Sequence, residues 1–428
     1  MRLPVRTCCL PLLLLASYFL APHCHCMADG PSWSRFHGVD GQGYVADGQL
    51  PDQWTDADYK WRQKLNANDV GSPVVVGDKV FVLASNPAKQ SISLEAFQLK
   101  DGKRLWAADY DHPVHHLHRR NTFASSTPAA DQQYVFAAWS NPDNTYLKCF
   151  DHDGKEVWSR DFGRWQSQHG FGTSPRILGS MVLLMNSQQA TQLKPGQVAG
   201  ESRMIAVDRR TGKTIWETSL ETSRSCYGVP AIYGASNKEQ HVIGANTGNG
   251  LFALNAKTGE MQWSKEVFEM RCCSTPLVVG DIAIGSSGSG GGGNHLVAVR
   301  IPKTAGAEPK TLYRIDRGAP YVPTPVVKDS LLFMVDDKGI ASCVDVETGK
   351  SFWQKRIGGN HGASPIVVGS KLLLISLDGQ ATVLNAGKEF KQISQFGLGG
   401  SVGATPAYVD GQLIIRVGNE LRCLSQSN

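Results

Sequence analysis

The chain has 428 residues, 41% of them hydrophobic and 19% charged, with 45 glycines and a formal net charge of +5. That length admits two or three ordinary domains or one large repeat array, and the glycine content favours many turns over long helices. The mild, evenly spread positive balance has no Lys/Arg run longer than two, which argues against a nucleic-acid partner; nothing after residue 28 is apolar enough to span a bilayer.

Residues 1–28 read as a signal peptide. Arg2 and Arg6 form a basic start, Cys8 to Pro22 is a short broken apolar stretch, and Cys26-Met27-Ala28 offers small residues for cleavage before Asp29. A lipid anchor on Cys24 or Cys26 is the rival reading, but the preceding Pro22-His23 and Cys24-His25 lack the usual small pair. The mature chain is expected to be periplasmic or secreted, soluble, without a transmembrane segment, and monomeric. Residues 29–58 form a leader.

From residue 59 to 428 the sequence repeats. A unit opens with Ser/Thr-Pro and an apolar run, as in SPVVVGDKVFVLA from Ser72, and closes with an Ala-x-Asp-x-x-Thr-Gly-Lys-x-x-Trp pattern, as in AVDRRTGKTIW from Ala206. The opening proline recurs at Pro73, Pro128, Pro175, Pro230, Pro276, Pro325, Pro365 and Pro406, 40 to 55 residues apart, the length of a four-stranded propeller blade. The closing aromatic recurs at Trp106, Trp158, Trp216, Trp263, Tyr313, Trp353 and Phe390. The eighth closer lies upstream at Trp61, so the strand around it is expected to complete the blade opened at Pro406. The fold class is therefore all-β: an eight-bladed propeller of four-stranded antiparallel blades, closed into a ring that leaves no free sheet edge.

The closing pattern resembles the tryptophan-docking motif of pyrroloquinoline-quinone (PQQ) type propellers, most clearly at 206–216, 253–263 and 343–353. The leader Trp33-Ser34-Arg35-Phe36-His37-Gly38 with Leu50-Pro51-x-x-Trp54 is similar to that of BamB-like secreted bacterial proteins of this repeat family.

In such a meander the first-to-second and third-to-fourth turns share one face. The second-to-third loops and the blade-to-blade connections share the other. The turns are stereotyped, whereas the loops 186–203 and 285–294 and the connection 107–125 are long and irregular. Binding residues sit on such loops. Residues just before each proline should ring the mouth of the central channel. They are Asn68 and Asp69; His116, His118, Arg119 and Arg120; Trp165 and His169; Arg224, Cys226 and Tyr227; Arg271, Cys272 and Cys273; then Tyr321, Asn360 and His361. Arginines and histidines around one carboxylate suggest a polar or anionic ligand. The crowded His112, His115, His116 and His118 fit no zinc spacing, so no metal site is assigned.

Cys149, Cys343 and Cys423 occupy the small-residue slot of the closing motif and read as buried apolar groups. Cys226 and Cys272 each stand four residues before a proline in adjacent blades, which leads us to expect Cys226 bonded to Cys272 or to Cys273. The pair Cys272-Cys273 also resembles the vicinal disulfide of PQQ alcohol dehydrogenases.

The resemblance to BamB-like proteins implies an exported, non-catalytic scaffold of the cell envelope that binds a protein or glycan, with no catalytic residue and no cofactor. The alternative it implies is a PQQ-dependent alcohol or sugar dehydrogenase, which asks for Ca²⁺ on Glu, Asn and Asp oxygens and a catalytic Asp. The mouth supplies arginines and the aromatics Trp165, Tyr227 and Tyr321. Hard oxygens are few: Asp69 and Asn360 on connections, and Asp336, Asp337 and Asp378 on second-to-third loops. There is no Cys-x-x-Cys-His for a c-type haem, and no acid pair suggests a polysaccharide hydrolase.

Overall fold

The computed structural model describes residues 32–235, 238–304 and 306–425, so the signal-peptide reading lies outside the described residues. It contains eight sheets, each built on a four-stranded antiparallel blade, and no α-helix among the described residues, only 3₁₀ turns at Asp56–Asp58 and Pro87–Lys89. Blades 1 to 8 open with the short strands Val74–Val76, Ala129–Ala130, Arg176–Leu178, Ala231–Tyr233, Leu277–Val279, Val326–Lys328, Ile366–Val368 and Ala407–Val409. Neighbouring opening strands touch one another around the axis, which makes them the innermost strands. The ring closes as expected: Tyr59–Lys64 pairs antiparallel with Glu420–Ser425, with Trp61 opposite Cys423.

Most of the outer-strand aromatics dock on the turn of the next blade. The rings of Trp61, Trp106, Trp158 and Trp216 cover a glycine of that turn, where an added Cβ would stand 2.5 to 2.8 Å from the indole at Gly102, Gly154, Gly212 and Gly259. These turns also have positive φ, so glycine is required twice over. The indole N–H then donates to a carbonyl of that same neighbouring blade: Trp61 to Leu99, Trp106 to His152 and Trp158 to Arg209 at 2.9 Å, Trp353 to Gly387 at 3.0 Å and Trp216 to Ala256 at 3.1 Å. Tyr313 does the same through its hydroxyl, 2.8 Å from the Val346 carbonyl. Among the described residues the Trp263 N–H has no partner; the blade 5 turn begins Ile301-Pro302.

Phe390 departs from the expected pattern. The outer strand of blade 7 is Gln392–Gly397, beginning beyond it, and Ser394 faces Val383 where other blades place the aromatic. Phe390 instead meets Trp353 edge-on at 5.3 Å. The leader fills the gap: the Asp52 carbonyl accepts from the Ser394 hydroxyl, and Trp54 packs edge-on against Phe396 at 4.6 Å.

The leader is no free extension. Ser32–Trp33 adds an antiparallel strand to the inner edge of blade 1, and Tyr44–Val45 adds a parallel one to blade 7. Between them the chain crosses the channel: the Ser34 carbonyl accepts from Ala130 of blade 2 at 2.8 Å, and Gln42 donates to Val278 of blade 5 at 2.9 Å. His37, fully buried, donates to the Pro365 carbonyl at 2.8 Å. The inner strands of blades 7, 8, 1 and 2 are consequently buried, while those of blades 3 to 5 stay half-exposed to the channel. The leader is a plug.

Candidate functional site

Above the plug, on the face of the blade connections, lies a cup of ≈ 550 Å³, within the range of small-molecule sites. Phe36 of the leader lines it, together with the last residues of the connections. Its lower wall is built by a hydroxyl ring. The Ser or Thr before each opening proline accepts a backbone N–H from its counterpart one blade earlier: Ser72 to Thr127 at 3.0 Å, Thr127 to Ser174 at 2.9 Å, Thr275 to Thr324, Thr324 to Ser364 and Ser364 to Thr405 at 2.9 Å each, and Thr405 back to Ser72 at 3.1 Å. Val229 donates to Thr275 at 3.1 Å but, lacking a hydroxyl, cannot accept from Ser174. The ring therefore interrupts itself at blade 4, beside Tyr227.

The cup's charge concentrates near that interruption. Arg271 is 5% exposed; its Nη2 donates to Gln168 Oε1 at 2.8 Å and Gln189 Oε1 at 3.0 Å, and its Nε has no partner among the described residues. No carboxylate pairs with it among the described residues. Neutral amides thus hold a buried guanidinium at the wall of an open cup, an arrangement that favours an incoming anion. His118 and His169 stack with ring centroids 4.5 Å apart. Burial, then the charge of Arg271, holds His169 down at about 4; burial, then Arg119 and Arg120, lowers His118. Both rings are thereby biased towards their neutral form. Tyr227 bonds Ser167 through its hydroxyl at 3.0 Å, and burial pushes both Tyr227 and Tyr321 well up, so they remain donors. Arg119 and Arg120 stand exposed at the rim, where Arg120 reaches Asp337 at 3.3 Å.

Of the residues read from sequence, His118, His169, Tyr227, Arg271, Cys273 and Tyr321 line the cup, and Asn360 lines a smaller rim depression that shares Arg119 and Arg120. Asp69 does not join them. It is buried in an ion pair with Arg416 at 2.9 Å and accepts both the amide and hydroxyl of Ser85, tying blade 8 to blade 1. Trp165 packs into the core edge-on to Phe171 at 4.8 Å, because the connection turns its side chain away from the axis. His361 is likewise buried, donating to the Gly358 carbonyl at 3.1 Å. His116 is exposed outside the cup, and Arg224 is half-buried beside Thr247. Cys226 and Cys272 lie buried behind the wall. Sequence reasoning missed Phe36, Gln168, Gln189 and the hydroxyl ring. Only the ring had a signal: Ser or Thr precedes seven of the eight opening prolines.

The fold and cup define a plugged, eight-bladed propeller of the PQQ-repeat class. The family model described as outer membrane protein assembly factor BamB matches residues 27–140, 90–270, 200–302 and 310–391, and the chain belongs to that family. It is 24% identical over 252 residues to the outer membrane protein assembly factor BamB of Moranella endobia (strain PCIT), a match covering 55% of this chain and 58% of that relative's length. Among solved structures it resembles BamB from Moraxella catarrhalis, with a TM-score of 0.61 at 14% identity over 85% of this chain and 98% of the other. It also resembles the quinohemoprotein alcohol dehydrogenase of Comamonas testosteroni, with a TM-score of 0.64 at 13% identity over 93% and 81%. At these identities the structural likenesses speak for the fold alone.

Proposed function

We propose that this protein is an exported, non-catalytic binding protein of the cell envelope, acting through its loop-rich face and taking an anionic group of its ligand or partner into the cup. The family membership supports envelope scaffolding, with a protein or glycan as the partner. The observation that carries the cup reading is Arg271, buried at the wall with a guanidinium that no carboxylate neutralises among the described residues. Phe36, Tyr227, Tyr321 and the stacked histidines give the rest of the ligand apolar, planar surfaces.

The dehydrogenase reading asks the same cup to hold Ca²⁺, which takes six to eight oxygens, several of them carboxylate. The donor set does not fit it. Arg119, Arg120 and Arg271 line the cup, and Asp337 is already engaged by the Tyr321 and Val322 amides and by Arg120.

The test is calorimetric titration with benzoate against its neutral analogue benzamide. Benzoate is expected to bind and benzamide not. Arg271→Gln is expected to weaken benzoate about tenfold or more, the worth of one charge-assisted hydrogen bond. Equal binding of the two probes, or unchanged affinity in Arg271→Gln, overturns the cup reading.

A further inference from the structure

Three thiols surround Arg271, and the fold sorts them. Cys226 and Cys272 hold equivalent places in the connections entering blades 4 and 5, four residues before Pro230 and Pro276. The two connections run side by side: Tyr227 N–H donates to the Cys272 carbonyl at 2.9 Å, and Cys272 N–H donates to Cys226 Sγ at 3.3 Å. Both side chains are fully buried in one apolar cluster. Cys273, the next residue, faces the other way, half-buried on the cup wall against Tyr321. Adjacent residues of an extended chain point to opposite sides, which sets Cys273 apart from both partners.

We propose that Cys226 and Cys272 are a cross-linking site that joins blades 4 and 5 by a disulfide, leaving Cys273 as the free thiol of the cup. The oxidant is a disulfide-bearing thiol compound, such as glutathione disulfide or a thiol oxidoreductase, acting before the blades close over the pair. Cys226 thiolate attacks the oxidant's disulfide and forms a mixed disulfide, releasing one thiolate. Cys272 thiolate then attacks Cys226 Sγ and releases the second. The two cysteines lose two electrons and two protons, and the oxidant is reduced to two thiols.

Once the blades have closed, the two thiols sit in different surroundings. Burial on its own raises a thiol, but hydrogen bonds from the Cys272 thiol and from backbone N–H groups, with the charge of Arg271, hold Cys226 below its ordinary value. Burial raises Cys272, and it pushes Cys273 up to about 12. The bond would also pin the residue next to Arg271, fixing one wall of the cup independently of what the cup binds.

The test uses the full-length protein isolated without reductant and treated with N-ethylmaleimide while folded, then denatured, alkylated again without reduction, digested and mapped by mass. The expected result is alkylation of Cys273 alone within this cluster, and a peptide pair joined through Cys226 and Cys272. Reduction is expected to lower the thermal midpoint by roughly 5 °C, as for release of a loop of about 46 residues, and the Cys226→Ser/Cys272→Ser variant is expected to show no redox-dependent shift. Alkylation of all three cysteines without reduction, or a bond that includes Cys273, overturns the proposal. The map needs only the wild-type chain, so a variant that fails to fold does not blunt it. Benzoate binding by the reduced protein separates this outcome from that of the cup.

Discussion

The seam where the ring closes offers the sharpest energetic test. Asp69 and Arg416 are each 1% exposed and lie 2.9 Å apart, with Arg416 also donating to the carbonyls of Leu83 at 3.0 Å and of Gly71 and Ala67 at 3.3 Å. Burial lowers Arg416, and the charge of Asp69 is the largest influence offsetting it. Asp69→Ala strands that guanidinium between blades 8 and 1 and also removes the acceptor for Ser85. Breaking one side of a buried pair costs about 3–5 kcal/mol, whereas replacing both sides with apolar groups is often close to neutral. With an unfolding entropy near 2.1 cal/mol/K per residue over about 370 residues, each kcal/mol moves the midpoint by roughly 1.3 °C. Asp69→Ala is therefore expected to lower the midpoint in calorimetry by about 4–6 °C, and Asp69→Ala/Arg416→Met to recover at least half of the loss. A single variant within 1 °C of wild type, or a double variant no better than the single, would refute the reasoning.

Other expectations follow from the docking turns, the histidines and the cup. Gly212→Ala puts a Cβ 2.8 Å from the Trp158 ring at φ +67°; it is expected to destabilise by about 1–3 kcal/mol and to red-shift tryptophan emission. His112 and His169 are both held at about 4, chiefly by burial, so the unfolded chain takes up protons first as pH falls below about 6.5. Stability is thus fully present above pH 6.5 and declines towards pH 4, and His112→Gln should flatten that slope in a series of thermal scans. Added PQQ and Ca²⁺ are expected to yield no dye-linked alcohol oxidation; turnover would reinstate the dehydrogenase reading. N-terminal sequencing of protein recovered from the envelope is expected to begin at Asp29.

Blade number, strand order and the closing strand were legible because each depends on short-range chemistry: a proline opening the strand, a Thr-Gly turn, an aromatic at fixed distance. The cup was legible only in part. Sequence position put His118, His169, Tyr227, Arg271 and Tyr321 before the opening prolines, where they line the cup, but it did not give the direction of each side chain. Asp69, Trp165 and His361 share the same connections and turn inward to the core instead. Which way a loop residue points depends on neighbours far along the chain; Asp69, for example, finds Arg416 at the other end of it. The leader's course was hidden for the same reason, since its partners Ala130, Val278 and Pro365 belong to three different blades.

In the proposed function the loop-rich face is the binding face. Site-specific photo-crosslinking in intact cells tests it most directly, with one probe at Arg119 on the cup rim and another at Lys213 on a turn of the opposite face. We predict that discrete envelope adducts form from Arg119 and not from Lys213. Adducts from Lys213 alone, or equally from both positions, would contradict it.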